Sequence, residues 1–387
     1  MASLISPKRL NKMTNDPRPG RRIQRRIVWI GLGVFAYLLH LVLGRDSSLV
    51  EAGYSRVFFP ALRWIWDYSI GLLPVPIIYV FLVGALAWDA RYLYRRFIRK
   101  PGRRHPKKGR LGLAFLSVAA VLGAVVCSFY LMWGFNYNRV SLEKHLDLDV
   151  KPLGPAELRA EAEWALRTAS EARAAISEAT ASPLDSSHYP FNPESTIRDS
   201  MSAVLRDLGY PAPGRVRVRV LRPGGLLMRF SSSGFYFPFF GEGYISAGLL
   251  PFERPFTLAH EMAHGFGFND EGVANFLAFL ACDRAENPAV KYAGRLAYWN
   301  SVAGELFRIS PQDLRNLLVD MPAGMRADLR AAAENWDRYR GSLMAIGEKI
   351  NQQYLRSQGI KEGIKSYDRL AMLVVSWRDK EKKAILD

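Results

Sequence analysis

Polar and apolar positions are mixed along most of this chain, but three runs in its first third contain no Lys, Arg, Asp or Glu. Residues 27–44 read IVWIGLGVFAYLLHLVLG, residues 68–88 read YSIGLLPVPIIYVFLVGALAW, and residues 111–133 read LGLAFLSVAAVLGAVVCSFYLMW. Each is close to the length that crosses ~30 Å of hydrocarbon as a helix, so three transmembrane helices are expected. Pro74 and Pro76 should bend or locally unwind the second. The first has no small-residue cleavage site and is followed by two more runs, which argues against a cleaved signal peptide.

Beyond residue 137 the pattern changes to that of one mostly helical domain, 137–387. Residues 155–176 repeat apolar positions at helical spacing behind a first-turn proline, and residues 192–208 read as a second helix. Residues 180–193, rich in Ser, Pro and His, read as a loop. The period then shortens to two. In RVRVRVL, residues 215–221, Arg215, Arg217 and Arg219 alternate with Val216, Val218 and Val220, which predicts a strand with one solvated face. Residues 226–230 and 235–240 are also β-prone, and Gly241–Ser246 reads as a short edge strand. Helices are predicted over 256–266 and 271–283 with a glycine-containing turn between them, and from Ala289 onward. The expected fold class is therefore α+β and mostly helical, with three N-terminal transmembrane helices ahead of a domain with a small β-sheet.

Charge sets the expected orientation. The chain carries 53 Lys+Arg against 36 Asp+Glu, a net charge of +17. Residues 1–136 hold 21 basic and 5 acidic side chains, leaving 32 against 31 for the remainder. The excess sits in the tail 1–26 and in the loop 89–110, so both are expected in the cytoplasm. The loop 45–67 balances Arg45, Arg56 and Arg63 against Asp46, Glu51 and Asp67 and is expected outside. Three spans starting inside place 137–387 outside as well, in a multi-pass protein of the cytoplasmic (inner) membrane. The lipid bilayer is the expected partner, with anionic lipid a second reading of the 89–110 loop. No nucleic-acid partner is expected, because the domain itself is nearly neutral. Cys127 and Cys282 are too few for a disulfide framework.

The chemistry-bearing motif is His260-Glu261-Met262-Ala263-His264, an H-E-x-x-H. On a helix, residues four apart share a face, so His260 and His264 offer two imidazoles to one cation, Zn2+ being the expected one. Glu261 is then placed as the general base that takes a proton from zinc-activated water and passes it to the leaving amine. A catalytic zinc needs a third protein ligand. Asp270 stands at H-E-x-x-H-x-x-G-x-x-D spacing, but it also precedes a predicted helix, where it can act as N-cap. Glu271 is the alternative.

Glu271-Gly272-Val273-Ala274-Asn275 resembles the E-x-x-A-D/N helix of glutamate zincins. The resemblance implies Glu271 as the zinc ligand and Asn275 as the residue that orients the ligand set. More widely, the chain resembles a family of bacterial membrane proteins of unknown function with three N-terminal spans and a gluzincin-like (zincin-like) domain. The match rests on Trp133-Gly134-Phe135-Asn136-Tyr137, Ser233-Gly234-Phe235-Tyr236 with Pro238-Phe239 and Gly241-Glu242, and Leu250-Pro251-Phe252. It continues through the H-E-x-x-H segment, Ala274-Asn275-Phe276-Leu277-Ala278, Tyr354-Leu355-Arg356-Ser357-Gln358-Gly359 and Gly363-Ile364-Lys365-Ser366-Tyr367. The family pattern carries a second glutamate before the Ala-Asn pair; here that position is Val273, which leaves Glu271 as the family-like ligand.

The expected function is a zinc metallopeptidase acting on envelope proteins or peptides. His260, His264 and Glu271 hold the metal and Glu261 acts as base. The alternative is a catalytically silent, zinc-stabilised envelope interaction domain, or a membrane scaffold. Gly241–Ser246 is the expected strand for holding substrate by β-augmentation. Tyr354 and Tyr367, with Lys365 and Arg369 as further candidates from the same C-terminal segment, are the expected donors to the tetrahedral intermediate. Phe276, Leu277, Phe279 and Leu280 are expected in the core. A protease acting within the bilayer is excluded, because Glu253, Arg254, Asp270 and Glu271 flank the motif.

Overall fold

The computed structural model describes residues 19–99, 110–176, 181–341, 343–347, 349 and 369–386. Among them the chain is mostly helical, with one three-stranded sheet, and it divides into two compact units.

The first unit comprises residues 1–46 and 87–134. Its helices α1 (Pro19–Leu43) and α4 (Arg110–Met132) pack along each other. They meet through glycine: a Cβ on Gly33 would lie 2.5 Å from the Gly123 Cα, and one on Gly123 would lie 2.4 Å from the Trp29 carbonyl oxygen. Small residues at a crossing let two backbones approach closely, as in membrane helix pairs. Ile23–Leu43 and Gly112–Met132 are long and apolar enough to cross a membrane, and little of either is buried. Phe35, Phe115, Val118 and Val121 point outward. These two helices point to membrane association.

The second expected span, 68–88, is not one helix. Residues 70–72 form a 3₁₀ turn, Pro74 and Pro76 follow, and helix α3 begins only at Ile77, running 17 residues to Leu93. Proline lacks the amide hydrogen and pushes its preceding residue out of the helical region, so Val75, held between two prolines, cannot continue a helix. Among the described residues, two helices rather than three are therefore long and apolar enough to cross.

The second unit comprises residues 47–86 and 135–387, so it takes in the stretch read from sequence as a separate loop. That stretch is helical: a π-helical segment, Val50–Phe58, leads into α2, Phe59–Asp67. Its buried stripe is Glu51, Ser55, Phe59, Arg63 and Asp67, one residue in four. Arg63 ion-pairs with Asp67 and donates to the Gly241 carbonyl at 2.6 Å; Asp67 also accepts from the Arg215 amide at 2.8 Å. Arg139 donates to both oxygens of Glu51 at 3.1 Å.

The core of this unit lies between α5 (Pro155–Ala174), α6 (Pro193–Asp207), α7 (Arg254–Gly265), α8 (Glu271–Asp283) and α9 (Pro288–Ile309). Helix α5 buries Leu158, Ala162, Ala165, Ala169 and Ala172, and this alanine face lets α9 pack closely with Tyr292, Tyr298 and Trp299 fully buried. Further helices α10 (Pro311–Val319), α11 (Ala323–Asp337) and α12 (Arg369–Leu386) follow.

The sheet has strands β1 (Arg217–Leu221), β2 (Gly234–Phe237) and β3 (Glu242–Ser246) in the order β1-β3-β2. Strand β1 pairs parallel to β3, and β2 pairs antiparallel to it. This corrects two expectations. Gly241–Ser246 is not an edge strand: β3 is central and every residue in it is buried. Nor do the arginines of β1 face water. Arg219 is buried, donating to Glu242 at 2.7 Å and to the Leu73 carbonyl at 2.5 Å, while Arg217 pairs with Glu194 at 2.7 Å. The arginines of β1 meet carboxylates instead of water, and the exposed residue of the strand is Val220. Residues 226–230 form a turn and a 3₁₀ segment rather than a strand.

Candidate metal centre

Helix α7 has proline in its first turn, where the missing amide costs nothing. It carries His260 and His264 one turn apart on one face. After Gly265 the chain turns through Gly267, whose φ of +89° is the left-handed region that glycine tolerates. Asp270 then caps α8, its side chain accepting from the Val273 amide at 2.9 Å. That cap puts Glu271 at the first helical position of α8, and α8 packs against α7.

These elements bring three ligand atoms together. The Nε2 atoms of His260 and His264 are 3.1 Å apart, and Glu271 Oε2 lies 3.2 Å from the first and 3.7 Å from the second. Tetrahedral zinc with bonds of ~2.0–2.2 Å needs ligand atoms separated by about 3.4 Å, so the triangle has the right size for it. The far nitrogens are also committed. His260 Nδ1 bonds the Asn275 side-chain oxygen at 2.8 Å, and His264 Nδ1 bonds the Phe268 carbonyl oxygen at 2.7 Å. Each oxygen accepts a hydrogen, so each Nδ1 carries it and each Nε2 presents a lone pair inward. Two lone pairs and a carboxylate facing one point require a cation or a proton between them.

The same geometry sets the protonation of the metal-free protein. Burial opposes charge on His264, yet the Glu271 carboxylate beside it raises its pKa to about 9. Burial also opposes charge on Glu271, but the two histidines win and hold it well below the usual carboxylate range. Glu261 is 3 % exposed, and burial pushes its pKa up to about 7 against the pull of His260 and His264. Its Oε2 has no hydrogen-bond partner.

Glu261 owes its place to two glycines of the sheet beneath. A Cβ on Gly243 would lie 2.8 Å from the Glu261 Cβ and 2.9 Å from Val218, and one on Gly234 would lie 2.8 Å from Glu261 Oε1. In the sequence Gly234 stands out only as part of a resemblance and Gly243 only as part of an expected strand; their role, close approach of helix to sheet, emerges from the packing. Gly243→Ala is expected to overpack this contact at a cost of about 1–3 kcal/mol. At roughly 2–4 °C per kcal/mol, thermal unfolding of the full chain should show the loss.

Of the predicted site residues, His260, Glu261, His264 and Glu271 come together, and Asn275 supports His260. Asp270 does not join the ligand triangle; besides capping α8 it accepts from Arg369 at 2.5 Å. Arg369 also pairs with Glu143, so its guanidinium serves two carboxylates. Tyr354, Lys365 and Tyr367 lie outside the described residues. Phe276, Leu277, Phe279 and Leu280 are buried in the core as expected. The Phe268 carbonyl, a support for His264, had no signal in the sequence, because a backbone oxygen leaves none.

No curated protein and no solved structure matches the chain. Residues 54–375, which include the whole candidate metal centre and the Arg63–Asp67 pair, match one family over most of the chain's length. The chain belongs to that family, described as protein of unknown function (DUF3810).

Proposed function

We propose that this protein is a membrane-anchored zinc metallopeptidase of the gluzincin type, hydrolysing peptide bonds in envelope proteins or peptides. One observation carries the reading: two imidazole lone pairs and one carboxylate converge within 3.1–3.7 Å, with a buried carboxylate that has one oxygen unpartnered beside them. His260, His264 and Glu271 hold the metal, and Asn275 and the Phe268 carbonyl fix the ring orientations. Zinc, when bound, supplies Lewis acidity that acidifies water and polarises a carbonyl. Glu261, buried beside those ligands with one oxygen unpartnered, takes a proton from the attacking water and returns it to the leaving amine. Strand β2, the sheet edge that reaches Glu261 through Gly234, replaces β3 as the strand along which an extended peptide would add. The test is zinc content together with peptide cleavage by the purified full chain, wild type beside Glu261→Gln.

The finer placement, with three spans and the metal centre outside the cytoplasm, rests on connectivity. Residues 47–76 are bonded into the same compact unit as 135–387, through Arg63 to Gly241, Arg219 to Leu73 and the Ile77 amide to Glu242. Both stretches therefore lie on one side of the membrane. If Ile23–Leu43 and Gly112–Met132 each cross, the chain reaches that side twice, so α3 between them must carry it back across. At about 1.5 Å per residue its 17 residues span about 26 Å, with Asp89 and Arg91 among its last five residues at the basic end. The basic 89–110 loop then marks the cytoplasmic face. Cysteines placed at Arg45 and Lys151 should both react with a membrane-impermeant maleimide in whole cells, and one at Arg95 only after permeabilisation. Labelling of Arg45 and Lys151 from opposite faces would refute this placement.

A further inference from the structure

The segment between α1 and α3 is built inside out. Its buried stripe, Glu51, Ser55, Phe59, Arg63 and Asp67, is mostly polar. Its outward side is apolar: Val57 is 64 % exposed, Trp64 59 %, Ile65 58 %, Leu72 56 % and Tyr68 50 %. The charged groups are consumed inward. Arg56 and Arg139 pair with Glu51, and Arg63 pairs with Asp67. Between Ala52 and Leu73 no charged residue is fully exposed. A helix at a water-facing surface has the reverse pattern. A patch of this kind is uncommon on a soluble surface and marks an interaction site.

We propose that the outward face of residues 57–73 lies in the membrane interface, its apolar side chains in the headgroup–acyl boundary, as an amphipathic helix docked on the bilayer does. The tether favours lipid over a protein partner. The apolar helix α1 ends at Leu43, and only Gly44, Arg45 and Asp46 separate it from residue 47. An extended chain reaches at most ~3.3–3.6 Å per residue, so the segment starts within about 14 Å of the end of that span. Its other end runs through Pro76 directly into the apolar helix α3. Trp64 and Tyr68, with ring centroids 5.4 Å apart, are the residue types that gather at membrane interfaces. The inference rests on the reading that Ile23–Leu43 crosses the bilayer.

A consequence concerns substrate. Trp66 donates to the Phe240 carbonyl at 2.5 Å and Arg63 to Gly241, so this segment is bonded to the turn joining β2 to β3. Bilayer and turn are then separated by one helix, about 10 Å across. On the peptidase reading proposed above, this places β2 within reach of a polypeptide at the membrane surface.

The experiment uses the full chain in phosphatidylethanolamine–phosphatidylglycerol vesicles, with nitroxide labels at Val57→Cys, Trp64→Cys or Ile65→Cys. A label at Val118→Cys on α4 serves as the reference for the bilayer interior and one at Lys151→Cys as the reference for water. Collision with oxygen, which partitions into lipid, is compared with collision with a water-soluble nickel chelate. The oxygen-to-nickel ratio at 57, 64 and 65 is expected to exceed that at 151 several-fold and to approach that at 118. Water-like ratios at 57, 64 and 65 with a lipid-like ratio at 118 would overturn the proposal and leave the membrane anchor standing. A water-like ratio at 118 would remove the anchor and the proposal with it. Dipolar broadening between labels at position 64 of two chains would assign the face to a second copy, and that result also overturns it.

Discussion

Purified full-length protein is expected to hold one zinc per chain, and Glu271→Ala is expected to lose it. Glu271 supplies the only carboxylate oxygen of the triangle, at 3.2 and 3.7 Å from the two imidazole nitrogens. Without it, two histidines remain, one short of the three protein ligands of a catalytic site. His260→Ala and His264→Ala should behave alike. Asp270→Ala should keep the zinc, since that carboxylate is engaged by the Val273 amide and by Arg369; its cost is that of a lost cap, about 1 kcal/mol. Asn275→Ala should sit between, weakening zinc about 10- to 100-fold through the loosened His260 ring. Metal analysis of the dialysed variants reads all five.

The same site predicts a pH dependence. His264 has a folded pKa of about 9, above its ordinary 6.5. In the metal-free protein its ion pair with Glu271 therefore stabilises fully below pH 6.5 and is lost as pH rises through 9. Zinc requires the neutral ring, so binding at about pH 7 must expel that proton, and affinity should climb with pH up to about 9. Calorimetry in buffers of different ionisation enthalpy should report about one proton released per zinc. At zinc roughly a thousandfold above its dissociation constant, the metal adds about 4 kcal/mol to stability, so a chelator should lower the unfolding temperature.

Glu261→Gln is expected to leave zinc in place and reduce peptide hydrolysis by about 10²- to 10⁴-fold, the range that a general base contributes. The substitution changes little else. Glutamine would keep the shape of a side chain whose Oε2 has no partner to lose. A carboxyl already raised to about 7 by burial also gives up little stability when made neutral. Cleavage of a fluorogenic peptide library by wild type and variant, each at one zinc per chain, separates the readings. Loss of cleavage in the variant alone establishes the enzyme. Zinc retained with no cleavage by either protein would favour the alternative, a zinc-stabilised interaction domain.

Much of the centre was legible because its signals are local. The four-residue spacing of His260 and His264 on a helix, the acidic start of the next helix at Asp270-Glu271, and Asn275 one turn later all follow from helical periodicity. Two of the corrections share one cause. In the chain around Arg63 and Asp67, and in the arginines of β1, charge along the sequence suggests contact with water. There it faces inward against Glu51, Glu194 and Glu242, while Trp64 and Ile65 face out. Periodicity tells that a segment has two faces. It does not tell which face meets protein when the other meets something as apolar as a core.

By itself the sequence determined the helical character of the domain, the positions of its main helices, and the candidates His260, Glu261, His264 and the Asp270-Glu271 pair, because each depends on residues within a few positions of one another. Tertiary structure alone decided the rest. It set Glu271, not Asp270, beside the two imidazoles, since the helix cap and Arg369 occupy the latter. It made β3 central and β2 the edge, since strand order is set by pairing between distant segments. It also drew residues 47–76 into the unit that carries the candidate metal centre, because the partners of Arg63 and Asp67 lie more than a hundred residues away as well as next door.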